Sequence, residues 1–263
     1  MTYIIILIVS LVLCAPGFKK YVYFFSIGYG FAVAGIGVTL MLLFRESLTW
    51  GTILACVLFL LYGLRLGGFL MLREMRIAEY HKFLDGEVKK NSAVPIGVQI
   101  CIWLACGILY FLQTSPVLFR LMNGKGTDTA MVIGVILMAA GILLEIAADK
   151  QKARAKGKDP GRFVDTGLFR LVRCPNYLGE LVLWTGVFIS GIPVLAGAFQ
   201  WTIAVLGYLG IIYVMFSGAR RLEIRQNRNY GEDPEYQEYV KTVPIMIPFI
   251  PLYSVENWKL FVA

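Results

Sequence analysis

Histidine is almost missing from this chain. His81 is the one histidine in 263 residues. No second ligand accompanies it at metal-binding spacing, which excludes a histidine-built metal centre. A nucleophilic triad needing a histidine base is excluded with it. Cysteine says little. Cys14, Cys56, Cys101 and Cys106 fall in apolar runs, where cysteine behaves as a small hydrophobe. Cys174 stands in a polar stretch assigned to the reducing side of a membrane. No disulfide is expected, nor a lipid attached at Cys14. The chain also lacks zinc spacings, heptads, nucleic-acid-binding modules, internal repeats and low-complexity linkers. Its net charge of +8 therefore needs no nucleic acid to explain it, because basic loops beside anionic lipid suffice.

Apolar residue is what the chain has in excess. It makes up 58% of the sequence, against about 45–50% in an ordinary soluble domain. A membrane helix needs about 20 mostly apolar residues. Residues 21–44, 48–72, 94–113, 129–148, 178–199 and 201–218 each supply such a run. A shorter one, 2–14, has neither a basic residue before it nor a small-residue cleavage site after it, so it is expected to be a retained helix and not a signal peptide. These seven segments predict an all-α, polytopic membrane protein with seven transmembrane helices in a single membrane domain over 1–263.

The charges supply an orientation. Lys and Arg favour cytoplasmic loops. With seven spans, the segment after the first helix, the loops 73–93 and 149–177, and the tail 219–263 share one side. They hold all but four of the 25 basic residues. Arg45, Arg120 and Lys125 fall on the opposite side and Arg65 lies within the third span. The N-terminus is thus expected outside and the C-terminus in the cytoplasm.

Charges inside spans are costly and mark function. Arg65 lies too deep to reach the interface by snorkelling alone, since its side chain covers only about one or two helical turns. Tyr62 shares its helix face. Glu145 and Asp149 form an acidic pair four residues apart at the end of the fifth span. The densest signal is residues 166–180, Thr-Gly-Leu-Phe-Arg-Leu-Val-Arg-Cys-Pro-Asn-Tyr-Leu-Gly-Glu. Pro175 suits the first position of a helix. A helix N-terminus beside Arg162, Arg170 and Arg173 suits a phosphate. Asn176 can donate and accept as an amide headgroup requires. Asp149, Lys152, Arg154 and Lys156 lie upstream on the same side. The collection fits a large anionic cofactor better than a simple ion.

The stretch from Gly167 to Glu180, followed by Leu-Val-Leu-Trp-Thr-Gly, resembles the C-terminal signature of the steroid 5α-reductase family. Glu145-Ile-Ala-Ala-Asp149, the Tyr62-Gly-Leu-Arg65 segment with Arg73 and Arg76, and the ending from Tyr236-Gln-Glu-Tyr239 to Ile247-Pro-Phe-Ile250 add to it. The resemblance covers about residues 55–255 and is nearest to the family's bacterial membrane branch, which implies a bacterial inner membrane. It implies a seven-helix, NADPH-dependent reductase of conjugated enones acting on an apolar, lipid-like substrate that enters from the bilayer. Residue by residue, it assigns Asn176 and Glu180 to the nicotinamide end of NADPH and Asp149 to a cofactor contact, and Tyr177 is counted among the cofactor-binding residues. Arg154, Lys156 and Arg162 go to the phosphates and adenosine, and Arg65 and Arg76 to the cofactor's neighbourhood, while Arg173, from the anion-suited helix start, is counted among the cofactor-binding residues. Tyr236 or Tyr239 is assigned to a tail tyrosine that closes over the cofactor. Tyr62 matches the tyrosine that hydrogen-bonds the substrate carbonyl, with Arg65 beside it. In the steroid reductases an acid from the N-terminal helices accompanies that tyrosine. Here the first two spans contain no Asp or Glu, and Glu46 falls on the outer side.

Two other readings stay open. Isoprenylcysteine carboxyl methyltransferases share this C-terminal architecture and bind S-adenosylmethionine in a similar cup. Cys174 replaces the histidine of their Arg-His-Pro motif, and their methyl donor carries no phosphate to match so many cations. The third reading is a non-catalytic, lipid-binding membrane protein.

Overall fold

The computed structural model describes residues 1–76 and 94–261, and their side chains except those of Phe69 and residues 73–76. His81 and the side chain of Arg76 lie outside the described residues. Among the described residues eight α-helices run in order: α1 Thr2–Cys14, α2 Ile27–Leu43, α3 Trp50–Arg76, α4 Ile96–Met122, α5 Thr129–Lys158, α6 Pro175–Gly191, α7 Gly197–Tyr230 and α8 Pro234–Thr242. No strand occurs among the described residues. This is the arrangement a hydrocarbon solvent selects, because a helix satisfies its backbone internally. Five of the helices among the described residues, α3 to α7, are long and apolar enough to cross a membrane. The other two apolar helices, α1 and α2, are shorter.

Helix boundaries depart from the apolar runs at several points, among them α5, which runs past residue 148 to Lys158, and α6, which ends at Gly191 and not at 199. Residues 21–25 form a 3-10 turn, so α2 begins only at Ile27. The fourth helix does not stop before Pro116 but carries it inside and runs to Met122. Thr114 Oγ1 donates back to the carbonyls of Tyr110 (2.8 Å) and Phe111 (3.1 Å) within that turn. The seventh helix does not end at Gly218 but continues for twelve residues into charged sequence.

The chain divides into two compact units. The first comprises Met1–Val135 and Val187–Tyr208. Its tightest crossing joins α2 and α3. A Cβ on Gly30 would lie 2.6 Å from the Gly67 nitrogen, and one on Gly63 would come closer still to the Gly30 carbonyl. Small residues let the two backbones meet, as is usual between membrane helices. Gly68, beside them in sequence, has nothing within reach. Tyr62 is fully buried in this unit and packs edge-on against Tyr29 at 5.9 Å, which in turn lies 4.8 Å from Tyr110. Arg65, one turn on, is half-buried.

Arg120, expected as an outer-loop charge, is buried instead. Its Nε and Nη2 donate to the Ser190 carbonyl at 2.9 and 2.7 Å, its Nη1 to the Gly126 carbonyl, and its Nη2 to both oxygens of Asp128 at 2.9 and 3.0 Å. Asp128 also caps α5 by accepting from the Met131 N–H at 2.8 Å. A cation so fully satisfied is a structural clamp.

The second unit comprises Ile136–Gly186 and Leu209–Ala263. Within it α5 and α6 cross at Gly141 and Gly179. A Cβ on Gly179 would lie 2.6 Å from Glu145 Cγ and 2.8 Å from the Gly141 carbonyl oxygen. This contact sets the angle at which α6 leaves the polar segment 159–174.

Candidate functional site

The polar segment is held in place by its neighbours. Gly167 adopts φ +60°, a conformation that suits glycine. The Leu168 N–H just after it donates to Gln151 Oε1 on α5 at 2.8 Å. Tyr239 of α8 donates to the Phe169 carbonyl at 2.7 Å. The N–H groups of Arg173 and Cys174 donate to the carbonyls of Pro244 and Ile245, each at 2.9 Å, so the tail is tied to the entrance of α6. Pro175 then opens the helix, where its missing N–H costs nothing.

These elements enclose a cavity of about 420 Å³ in the second unit, within the size range of small-molecule sites. From α5 come Lys152 and Lys156, and from α6 Asn176 and Tyr177. The polar segment adds Arg173 and Cys174 over the apolar floor of Phe163, Val164 and Phe169. The fourth wall is α7, with Leu222, Arg225, Gln226 and Asn229.

Arg173 is the centre of this site. Its side chain is 1% exposed. Nη2 donates to Glu223 Oε1 at 2.8 Å and to the Tyr253 carbonyl, while Nε and Nη1 are buried with no protein partner. Buried guanidinium donors are costly to leave unpaired, and Arg173 is one of the residues that line the cavity. Glu223 is itself 2% exposed and accepts the Val255 N–H at 2.8 Å with its other oxygen. Burial pushes the Cys174 thiol up to about 12, against the pull of Arg173. It pushes the Tyr236 phenol up to about 12 in the same way, and the Tyr239 phenol higher. All three groups are therefore neutral at physiological pH.

The residues singled out from the sequence do not all gather here. Asn176 Nδ2 donates to Asp149 Oδ1 at 2.6 Å, which joins α6 to α5. Glu180, one turn further, is buried and accepts from Trp184 Nε1 at 2.9 Å. Tyr177 packs on Gly218 of α7. Lys156 reaches the Tyr230 hydroxyl at 2.8 Å and the carbonyls of Pro160 and Arg162. Arg154 and Arg162 line a separate, shallower cavity of about 360 Å³ between α5 and residues 159–167. Arg162 is engaged there by Glu235 (2.6 Å) and Asp165 (2.9 Å), and both raise its pKa. Tyr236 donates to Asn227 Oδ1 at 2.7 Å. Tyr62 and Arg65 belong to the first unit.

Sequence reasoning missed the α7 wall and Glu223. Residues 222, 225, 226 and 229 are spaced as one helical face. That periodicity continues beyond the end of the apolar run and was the available signal.

Comparison with known proteins gives consistent relatives. The chain is 27% identical over 122 residues to "Steroid 5-alpha-reductase DET2" of Arabidopsis thaliana, covering 45% of this chain and 41% of the relative. It is 24% identical over 126 residues to "3-oxo-5-alpha-steroid 4-dehydrogenase 1" of Rattus norvegicus, covering 47% and 43%. It is 29% identical over 146 residues to "3-oxo-5-alpha-steroid 4-dehydrogenase 2" of Macaca fascicularis, covering 53% and 51%. The chain thus spans about half or less of the length of the curated relatives it matches. No solved structure matches it. A family profile described as "Protein of unknown function (DUF1295)" matches residues 24–243, and over that span the chain belongs to this steroid 5-alpha-reductase-like family.

Proposed function

We propose that this chain is a membrane-embedded, NADPH-dependent reductase of a carbon–carbon double bond conjugated to a carbonyl, in an apolar steroid- or isoprenoid-like substrate. The observation that carries the reading is Arg173, which has two buried guanidinium nitrogens without a hydrogen-bond partner and lines a cavity together with Lys152, Lys156 and Arg225. Such a donor set fits the phosphates of a dinucleotide, and S-adenosylmethionine has no phosphate to meet it. The steroid reductases among the chain's relatives support the same chemistry.

In this proposal Asn176, Tyr177, Glu180 and Asp149 hold the nicotinamide end. Arg173 and Lys156 meet phosphate, Arg154, Arg162 and Arg76 serve the adenosine end, and Tyr236 and Tyr239 secure the tail over the site. NADPH, when bound, supplies the hydride. Tyr62 donates a hydrogen bond to the substrate carbonyl and stabilises the enolate oxygen as charge develops on it. Arg65 adds a positive charge on the same helix face. The described carboxylates of the first unit, Glu46 and Asp128, are paired with Arg45 and Arg120. Carbonyl polarisation by a tyrosine–acid pair, as in the steroid reductases, is therefore not part of this proposal. The chain acts as one membrane domain of seven spans, α1 and α2 completing the five longer helices, with the N-terminus outside and α8 in the cytoplasm of a bacterial inner membrane.

The test is cofactor binding to detergent-purified protein, NADPH against S-adenosylmethionine. Saturable NADPH binding that Arg173→Met, Asn176→Ala and Glu180→Ala each weaken is the expected result. Binding of S-adenosylmethionine alone overturns the reading in favour of a methyltransferase. Binding of neither overturns both and leaves a lipid-binding protein. Tyr62→Phe should then lower turnover of an enone substrate strongly while NADPH affinity stays unchanged, and unchanged turnover would remove Tyr62 from the mechanism.

A further inference from the structure

The end of the chain does not extend away from the helices into water. It runs back along α7, antiparallel to it. Near residue 223 the Val255 N–H donates to Glu223. One turn earlier, Arg220 Nε donates to the Glu256 carbonyl and its Nη1 to the Phe261 carbonyl, both at 2.8 Å. Two turns earlier still, the Tyr213 hydroxyl donates to the Leu260 carbonyl at 3.2 Å. The Phe261 ring stacks on Phe216 at 5.4 Å and 17°, and Trp258 stacks on Phe261 at 5.9 Å and 14°. From residue 223 to residue 213 is about 15 Å along the helix axis. The tail therefore reaches the apolar stretch that makes α7 long and apolar enough to span a membrane.

Its outer side is uncovered there. Leu260 is 74% exposed and Trp258 47%, beside the exposed Leu209 and Tyr213 of α7 itself. Leu209 and Tyr213 lie four apart on one helical face, and Leu260 prolongs that face. An apolar strip continuous with the outer surface of a membrane-type helix has one ready solvent, the bilayer. The composition matches the boundary between headgroups and acyl chains, where tryptophan and tyrosine concentrate and lysine stems lie along lipid with the ammonium in the phosphate layer. Lys259 and Arg221 are both exposed and supply those cations.

We infer that residues 258–261 form a lipid-interface anchor, a return of the tail into the bilayer surface against α7. The segment was expected to be wholly cytoplasmic. The inference rests on α7 spanning a membrane and not on the reductase reading. The anchor fixes the segment 253–256, which holds Arg173 and Glu223 from behind.

The test uses the full chain in phosphatidylcholine–phosphatidylglycerol vesicles, with exposed Cys101 replaced by Ser and a polarity-sensitive fluorophore on Leu260→Cys. A Gly157→Cys label at the exposed end of α5 is the aqueous reference, and Lys259→Cys is a second tail site. The expected result is blue-shifted emission at 260, quenched several-fold more by nitroxide-bearing lipids than by aqueous iodide, with the 157 label showing the reverse. Iodide quenching at 260 and 259 equal to that at 157 would overturn the anchor. So would protection at 260 that disappears on dilution with excess lipid, because the cover would then be a second copy of the chain. Neither outcome depends on NADPH binding.

Discussion

Arg173 and Glu223 form a buried ion pair, with Nη2 2.8 Å from Oε1 and both side chains at most 3% exposed. The pair satisfies one edge of the guanidinium and leaves Nε and Nη1 unpartnered. Removing one member of a buried pair costs about 3–5 kcal/mol because the other charge is stranded. Glu223→Ala should therefore lower thermal stability in detergent markedly. It should also weaken NADPH binding at least about tenfold, roughly 1.4 kcal/mol, although Glu223 is not among the cavity-lining residues. Unfolding curves and binding isotherms for Glu223→Ala and Glu223→Gln check this. Wild-type values for both would show that the pair does not position Arg173.

The Arg120 clamp makes a separate prediction. Arg120→Met removes donors to Ser190, Gly126 and Asp128 at once and should destabilise the first unit by about 3 kcal/mol, with no effect on cofactor affinity. Partial burial alone would raise the Asp128 pKa, but the Met131 N–H and the Arg120 guanidinium outweigh it and hold the carboxyl below its usual value. A lowered folded pKa contributes stability that is complete at neutral pH and is lost as pH falls through that value. Unfolding followed from neutral pH into acid should show a shallower acid limb for Asp128→Asn than for the wild type.

At the crossing of α5 and α6, space is the constraint. Gly179→Val would drive side-chain atoms into Glu145 and the Gly141 carbonyl, so the helices must part, at a typical overpacking cost of about 1–3 kcal/mol. The same change at Gly68, where nothing lies within reach, should be nearly neutral. Thermal stability of the two variants measured side by side decides this, and equal losses would count against the crossing as drawn.

Alkaline pH should loosen the tail. Tyr236 ionises near 12 when folded, against 10 when exposed, so the folded chain keeps protons that the unfolded chain releases. Stability then falls as pH rises across that interval. Tyr236→Phe should flatten this alkaline limb while costing about 1 kcal/mol at neutral pH for the lost bond to Asn227. Unfolding midpoints from neutral pH up into the interval provide the measurement.

Hydrocarbon-length apolar runs made the main helices legible, because a chain crossing lipid has few alternatives to a helix. Gly30 and Gly67 meet in the close contact that small residues favour between membrane helices, whereas Gly68, next in sequence, meets nothing. Asn176 and Asp149 were each marked by local context, the first by its place at a helix start and the second by a charge at a helix end. Their hydrogen bond joins residues 27 apart in sequence, a separation no local pattern encodes. Arg120 read as an outer charge because its acceptors, residues 126, 128 and 190, converge on it only after folding. The α7 wall was hidden differently. Hydropathy stops at Gly218 while the helix does not, so a reading keyed to apolarity ended where the 3.6-residue periodicity still ran.

That unbroken helix has an arithmetic consequence. From Leu209 to Tyr230 the exposed residue Tyr213 and the cavity-side residues Arg225 and Asn229 are geared to one another. Each residue inserted between them turns one set against the other by about 100° and slides it about 1.5 Å. A single insertion near Phe216 would swing the α7 wall out of the cavity while leaving every side chain in the chain intact. A change of about seven residues, close to two full turns, or of about eleven, close to three, brings the faces back near their original phase. The spacing between the membrane-facing and ligand-facing parts of α7 is therefore quantised, and length variation there can be accommodated in helical turns but not in single residues.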